Sequence, residues 1–365
     1  MKRDLKKIYA AALLRSTGVG MTGVLLGVYL SRAGLSAFRI GLVITAGLAG
    51  LALATASVSL FADRLGRRRV LVAISALGAL GGLGLALTTH FPGVLALAFF
   101  GLVNGMGTDR GPAFSLDQAL IPQTTEGSRR TWALSWHSLI MDIGHAAGAL
   151  MAGLPWLLGR WFGFDVLASY RITFSVYVVM NLLSAAAYGA LTGEIEAPAQ
   201  GAPESRAARL SPQSKKVVTR MAALFGIDSL GGGFLTDALL AYWFFHRFGI
   251  NESSLGLLFA LGNILNSFSY LIAARLAERI GLLNTMVFTH IPSSLLLMAV
   301  PLASSPRWAI VFYLAWESLV EMDVPTRQSY IMAVVQPGER TFASGATNLA
   351  RNVARSISPS FAGFM

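Results

Sequence analysis

The chain is notable first for what it lacks. None of its 365 residues is a cysteine, which excludes disulfides and thiolate-ligated metal centres. Charged residues make up only 13% of the chain, against about 25% in soluble proteins. It contains no G-x-S-x-G nucleophile elbow, no phosphate-binding G-x-x-x-x-G-K-[ST] loop and no histidine cluster with metal-ligand spacing. The sequence therefore predicts neither an enzyme nor a protein with a cofactor, a metal or an ATP-driven cycle.

Apolar residues dominate what is present. They make up 54% of the chain, and the mean hydropathy is +0.60. They fall into stretches of about 20 residues, the length that a helix needs to cross a bilayer. The chain has eleven such stretches, at about 8–30, 38–61, 70–89, 93–115, 132–157, 171–192, 217–245, 253–276, 283–302, 307–334 and 342–365. The sequence predicts an all-α, multi-pass membrane protein.

The placement of the basic residues explains the formal net charge of +11 without a nucleic-acid partner. With the N-terminus inside, most lysines and arginines fall in cytoplasmic loops, where such residues are retained. The predicted outer loops hold only Arg32, Arg39, Arg160, Arg171, Arg247 and Arg307. We therefore expect a cytoplasmic N-terminus and contact of the basic loops with anionic lipid head groups.

The chain divides into two related halves. Residues 193–216 are rich in proline and glycine and predict a flexible cytoplasmic linker between an N-terminal half, 1–192, and a C-terminal half, 217–365. Asp63-Arg64-Leu65-Gly66 in the first half matches Glu278-Arg279-Ile280-Gly281 in the second, and further matches follow in the same order. The first half has six predicted spans and the second five. By this count a twelfth span is missing, and we expect the sequence to be truncated.

The segment Asp63-Arg64-Leu65-Gly66-Arg67-Arg68-Arg69 lies between two apolar stretches and has the composition of a short cytoplasmic loop. It resembles G-x-x-x-D-R-x-G-R-R, the signature loop of the major facilitator superfamily (MFS), with Ser59 in place of the leading glycine. The resemblance covers the whole chain, is nearest to bacterial drug and metabolite exporters, and implies residence in a bacterial inner membrane. It implies two pseudo-symmetric six-helix bundles, of which eleven of twelve helices are present. It also implies a conformational role for Asp63, Arg64, Gly66, Arg67 and Arg68, in which Asp63 caps or pairs with the cytoplasmic end of segment 11.

Ionisable residues near the bilayer midplane are the candidate site residues, because such groups are costly in hydrocarbon unless they face a cavity or a partner. Counting about 1.5 Å per residue along each predicted helix gives a belt on segments 1, 4, 5, 7, 10 and 11. Its members are Arg15, Asp109, Arg110, Asp142, His145, Asp228, Glu317, Glu321, Arg351 and Arg355. They are candidates for a substrate and proton cavity.

The partners of these groups remain open in the sequence. Arg15 and Asp228 occupy nearly equivalent positions in the two halves and could pair with each other. The favoured alternative pairs each within its own half: Arg15 with Asp109 or Asp142, and Asp228 with Arg351 or Arg355.

Segment 11 carries a polar stripe, with Glu317 and Glu321 on segment 10 as its candidate counter-charges. Such a stripe could be a structural ion-pair network or a substrate and proton site. Its members are Asn348, Arg351, Asn352 and Arg355. His145 could relay protons or serve only in packing. Asp117, Asp323 and Arg327 are predicted to be interfacial.

These observations predict a secondary active transporter that works by alternating access. Proton-coupled export of a small amphipathic or organic-ion compound by a monomer is favoured. Two alternatives are proton-coupled uptake of an anionic metabolite and a non-transporting membrane sensor or lipid-handling protein on the same fold.

Overall fold

The fold is described from a computed structural model that covers residues 2–122, 124–125, 130–196, 211–322, 330, 335 and 340–364. Within these ranges every regular element is helical. The first half contains α1 (Lys2–Arg32), α2 (Ala37–Leu65), α3 (Arg67–Leu87), α4 (Phe91–Phe100), α5 (Pro112–Leu120), α6 (Arg130–Met151), α7 (Leu154–Phe162) and α8 (Val166–Gly189). A short 3-10 helix, Gly193–Glu196, follows α8 and opens the predicted linker. The prediction of an all-α fold is confirmed.

The second half contains α9 (Pro212–Gly233), α10 (Asp237–Phe248), α11 (Glu252–Ile280), α12 (Leu282–Leu302), α13 (Pro306–Val320) and α14 (Arg340–Phe364). Among the described residues, six helical spans are long and apolar enough to cross a membrane. They are Arg3–Arg32, Ala37–Val58, Arg67–Leu87, Val166–Gly189, Ser214–Phe248 and Leu282–Leu302. Most of the linker, as well as Asp323 and Arg327, lies outside the described residues.

The predicted fourth span, 93–115, is not one continuous helix. Residues 101–111 form a non-helical segment between α4 and α5. Leu102 has a φ of +52° and Gly107 a φ of +79° within it, and both values are incompatible with a right-handed helix. Asp109 and Arg110 lie on this break, so the depth counted for them along a helix was wrong.

Other predicted spans are also interrupted. The fifth divides into α6 and α7, and the seventh divides into α9 and α10 after the glycine run 231–233. The tenth was expected to continue to residue 334, but α13 ends at Val320, with Glu321 as its C-cap. The sequence-based spans averaged hydropathy over these breaks, because glycine and small residues interrupt a helix without lowering the local apolar content.

The contacts divide the chain into two compact units that do not coincide with the sequence halves. Unit 1 comprises Met1–Ala202, Gly232–Leu257 and Arg355–Met365, and unit 2 comprises Pro203–Gly231 and Leu258–Ala354. The central helix of unit 1 is α1, which packs against α6, α8 and α10 and has 89% of its most apolar window buried. Within unit 2, α12 packs against α13.

Candidate functional site

A buried group of charged and hydroxyl side chains lies in the interior of unit 1. Arg15 of α1 contacts Asp109 through Nε, and its NH2 nitrogen lies 3.0 Å from Asp117 Oδ2. The Tyr188 hydroxyl accepts a hydrogen bond from Arg15 NH1 and lies 2.9 Å from Asp117 Oδ2. We call Arg15, Asp109, Asp117 and Tyr188 the arginine cluster; none is more than 6% exposed.

The arginine cluster joins four parts of the chain: α1, the non-helical segment 101–111, α5 and α8. Pairing and hydrogen bonding allow charges to be buried at this depth. Arg15 pairs within its own half, with Asp109, as the favoured alternative anticipated. Asp117 was expected to be interfacial. It lies on α5, which begins at Pro112, and its side chain is paired with Arg15 and has no exposed surface.

Two histidines of α6 border the cluster. The Nε2 atom of His145 accepts a hydrogen bond from the backbone N–H of Asp109, at 2.9 Å. A nitrogen that accepts carries no proton, so this imidazole is neutral in the arrangement seen. The Nδ1 atom of His145 lies 4.0 Å from Asp142, whose side chain is about one-third exposed. His137, which the sequence analysis did not single out, lies 3.4 Å through Nε2 from Asp117 Oδ2.

A polar face of α8 lies beside the arginine cluster. Its regular spacing is a feature of the sequence that the sequence analysis did not use. Tyr177, Asn181, Ser184 and Tyr188 recur at helical spacing and are all buried. Their periodicity marks a polar stripe in an apolar helix, but none of them carries a charge at neutral pH. A cavity of about 30 Å³ borders Arg15, Asn104, Asp109, Tyr177 and Asn181, which is room for about one water molecule.

The break between α4 and α5 is held by specific contacts within unit 1. Asn104 donates from Nδ2 to the carbonyl of Thr108 and accepts from the N–H of Met106. The Gly105 carbonyl accepts from the N–H of Ala238, at 3.1 Å. A Cβ atom on Gly107 would lie 1.7 Å from the Asp237 carboxylate, so only glycine fits at this position. These contacts satisfy backbone groups that a continuous helix would have paired.

The candidate acids of unit 2 have partners of a different kind. The carboxylate of Asp228 lies 3.3 Å from His290 Nε2, and neither side chain is fully buried. Glu317 is 8% exposed and accepts a hydrogen bond from the Asn266 amide, at 3.3 Å. No lysine or arginine among the described residues lies within salt-bridge distance of Glu317. Arg351 donates to the Ser229 hydroxyl, at 3.1 Å.

The remaining candidates are more accessible to solvent. Arg110 is exposed on the non-helical segment, Glu321 is half-buried at the end of α13, and Arg355 is half-buried in unit 1. Within the described residues, no group of three or more histidine, aspartate or glutamate side chains could hold a metal ion.

A second ion pair lies at the predicted outer end of unit 1. Glu252, at the start of α11, accepts a hydrogen bond from the Tyr170 hydroxyl at 2.7 Å, and Arg32 NH2 lies 3.3 Å from the same carboxylate oxygen. The Arg32 guanidinium also stacks over the Phe245 ring, 4.7 Å from its centroid. We call Arg32, Tyr170, Phe245 and Glu252 the outer clamp. It joins the first half to the 232–257 segment at a point where Glu252 is only 4% exposed.

The signature loop is as short as predicted. Gly66 alone separates α2 from α3 and has a φ of +92°. Asp63 is exposed and pairs with Arg67 at 2.7 Å, while Arg68 donates to the Leu191 carbonyl. The carboxylate of Glu196 accepts from the backbone N–H groups of Arg67 and Arg68, at 2.7 and 3.0 Å. Glu196 therefore caps α3 and ties the start of the linker to the loop.

Comparison with known proteins shows related membrane proteins along the full chain. Residues 8–359 match the family model described as Major Facilitator Superfamily. An uncharacterized membrane protein of Saccharomyces cerevisiae is 28% identical over an alignment of 395 residues, which covers 100% of this chain and 88% of the yeast protein.

Solved structures with the same fold are more distant in sequence. A bacterial homologue of the human lysosomal transporter Spinster, in an inward-facing and occupied conformation, has a TM-score of 0.76 at 17% identity, over 99% of this chain and 81% of its own. The nucleoside transporter NupG has a TM-score of 0.73 at 14% identity, over 100% and 91%. A D-xylose-proton symporter has a TM-score of 0.70 at 14% identity, over 98% and 88%.

Proposed function

Because the chain belongs to the Major Facilitator Superfamily, we propose that it is a secondary active transporter that exports a small amphipathic or organic-ion compound in exchange for protons. The fold and the membrane-protein relatives support secondary transport across a membrane, and no nucleotide-binding loop is present in the sequence. A transmembrane gradient is then the source of energy. One of the structural neighbours is a D-xylose-proton symporter.

The environment of Glu317 carries the proposal of proton coupling. A buried carboxylate is costly as the ion and much less so as the neutral acid, unless a cation lies beside it. Glu317 is buried in unit 2, and its hydrogen-bond partners, the Asn266 amide and the Tyr313 hydroxyl, are both neutral groups. This acid can bind a proton when it faces one side of the membrane and release it when it faces the other.

The outer clamp and the signature loop supply the conformational part of the proposal. In alternating access, contacts that exist in only one state bias the equilibrium between states. The outer clamp closes the outer end of unit 1, and we propose that it opens during the cycle. The residues of the signature loop, Asp63 to Arg68, act at the opposite, cytoplasmic end.

Transport by the purified full chain in proteoliposomes tests this function. Ethidium serves as the organic cation, uridine and xylose as neutral solutes, and succinate as an anion, with a pH-sensitive dye trapped inside. We expect an opposing proton gradient to drive ethidium movement and a protonophore to abolish the drive. Ethidium movement that changes neither with the proton gradient nor on addition of the protonophore would contradict proton coupling. Movement of succinate together with protons would instead support proton-coupled uptake of an anion. Binding of a probe without movement of any probe would support a non-transporting sensor.

The topology is tested with single cysteines, since the native chain has none. Gly193 is exposed, and a Cβ atom there would meet no neighbour. Ser304 is exposed between α12 and α13, on the predicted outer side. In intact bacterial cells, we expect an impermeant maleimide to label Ser304→Cys and to leave Gly193→Cys unlabelled until the cells are opened. The reverse labelling pattern would show that the predicted topology is inverted and that the N-terminus is not cytoplasmic.

A further inference from the structure

His137 occupies a position that the transport mechanism above does not use. It lies on α6 with no exposed surface, between the ring of Phe114 (centroids 6.0 Å apart, stacked) and the ring of Tyr9 (6.4 Å). Its Nε2 atom points to Asp117 Oδ2. Its Nδ1 atom is buried and has no hydrogen-bond partner among the described residues. A buried ring nitrogen without a partner is unusual, because buried polar atoms are nearly always hydrogen-bonded.

The Asp117 Oδ2 atom is shared by two groups. Arg15 NH2 lies 3.0 Å from it and His137 Nε2 lies 3.4 Å from it. The Tyr188 hydroxyl also contacts this oxygen. Any positive charge gained by His137 would therefore compete with Arg15 for one oxygen atom and would repel the guanidinium across it.

The charges of the arginine cluster do not balance on their own. One arginine against two carboxylates, Asp109 and Asp117, leaves a formal charge of −1 in a region that water hardly reaches. A buried net charge is strongly disfavoured, and a single bound proton would remove it. His145 does not hold that proton here, because its Nε2 accepts the Asp109 N–H.

The other groups that face His137 already have defined partners. On α1, the Tyr9 hydroxyl donates to the carbonyl of Ala133, and Arg15 binds the carboxylates. On α8, Tyr188 donates to Asp117. The free Nδ1 atom of His137 is thus the one nitrogen next to the arginine cluster, within the described residues, that can accept a proton without displacing an existing bond.

We propose that His137 is a proton-binding group inside the first half, and that its protonation loosens Arg15 from Asp117. The proton is added at Nδ1, Nε2–H stays directed at Asp117 Oδ2, and Arg15 keeps its bond to Asp109. The result is a pH-dependent weakening of the contact between α1 and α5. The inference rests on the proposed proton-coupled function, but it concerns a site separate from Glu317.

The first test measures the protonation of His137 directly and needs no substrate. The chain has only 5 histidines, so ¹⁵N-histidine NMR of the full chain in lipid nanodiscs gives few signals, and His137→Gln identifies the signal of interest. We expect that signal to change from the neutral to the protonated form as the pH is lowered. A His137 imidazole that stays neutral throughout overturns the inference. If His137→Gln does not fold, the signal is assigned by elimination from variants of the other four histidines.

The second test asks whether this proton changes the conformation. Leu255 is fully buried at the outer end of unit 1, so Leu255→Cys reports opening of that end through its rate of maleimide labelling. We expect labelling to vary several-fold with pH in the parent and to become pH-independent with His137→Gln. His246→Gln, at an exposed histidine of α10, is the matched control and should keep the parent's pH dependence. Unchanged pH dependence in folded His137→Gln overturns the inference.

The two proposals can fail separately. If ethidium transport ignores the proton gradient while His137 titrates and controls labelling, the proposed coupling fails and the inference stands. If the gradient drives transport, and folded His137→Gln retains the parent's pH profile of transport, the coupling stands and the role of His137 is wrong.

Discussion

The interior acids of the two units are held in opposite ways. In unit 1, Asp109 and Asp117 share one arginine and a tyrosine in a closed cluster that is almost entirely buried. In unit 2, Glu317 is equally buried but is hydrogen-bonded to a neutral amide, and Asp228 faces a histidine. The predicted belt has acids and bases in similar numbers in the two halves, but the structure shows that similar composition does not mean similar pairing.

This difference in pairing gives the acids of the two units different roles: those of unit 1 hold helices together, and Glu317 of unit 2 can bind and release a proton. Removal of either partner of a buried acid–arginine pair leaves the other charge buried without a partner, so such a pair serves mainly to hold helices together. An acid next to an amide can exist in either protonation state with the same neighbours. We therefore expect stability to depend most on unit 1 and proton coupling by a carboxylate to depend most on unit 2.

Arg15→Gln should produce the largest effect and tests the cohesive side of the comparison. The substitution leaves two carboxylates buried without their cation, which costs about 3–5 kcal/mol when a buried pair is broken. Heat and urea unfolding in detergent micelles should show this loss. Arg171→Gln, at an exposed arginine of α8, is the control and should change stability by less than about 0.5 kcal/mol. Equal stability of the two variants would break the comparison.

Glu317→Gln should separate stability from coupling. The amide is similar in size and can still hydrogen-bond to Asn266, so we expect unfolding to change by no more than about 1 kcal/mol. The variant cannot release a proton, and gradient-driven transport in proteoliposomes should therefore be lost while substrate binding remains. A destabilisation as large as that of Arg15→Gln would instead make Glu317 a structural group like those of unit 1.

Glu252→Gln should have the smallest effect and concerns the outer clamp. The Tyr170 hydroxyl can still bind the side chain, but the attraction to Arg32 is lost. Arg32 is 39% exposed in this pair, so the loss should be about 1 kcal/mol at most, a roughly fivefold change in the ratio of open to closed states. The labelling rate of Leu255→Cys should rise accordingly. If the labelling rate does not rise, the outer clamp does not contribute to the equilibrium between open and closed states.

Much of the fold could be predicted from the sequence, because apolar stretches of membrane length correspond to α1, α2, α3, α8 and α12. The turn at Gly66 was predicted because glycine followed by arginines between two such stretches has few other structures. The breaks at 101–111 and 234–236 could not be predicted. They depend on tertiary partners for the backbone, such as the Ala238 N–H that binds the Gly105 carbonyl.

The site was predicted only where the charges themselves were informative. Arg15, Asp109 and His145 meet as the belt suggested. The burial of Asp117 was not predicted because this residue falls just beyond the predicted fourth span, 93–115, and Tyr188 was missed because it carries no formal charge. His137 was not singled out either, although it lies within the predicted fifth span, 132–157. Which side chains pair with each other depends on how each helix is rotated about its axis, and counting residues along a predicted helix does not give that rotation.

The broken fourth span also has a consequence for how the protein is made. The apolar part, α4, has only 10 residues, about half of what spans a bilayer, and Asp109 and Arg110 follow it. Each such charge opposes insertion by about 2.5–3.5 kcal/mol at the centre of a span. During synthesis, however, α1 leaves the ribosome long before residue 109. Arg15 is therefore already in the membrane when Asp109 is synthesised. Because α1 precedes α4 in the chain, the cation that pairs with Asp109 is present when this weakly apolar segment inserts.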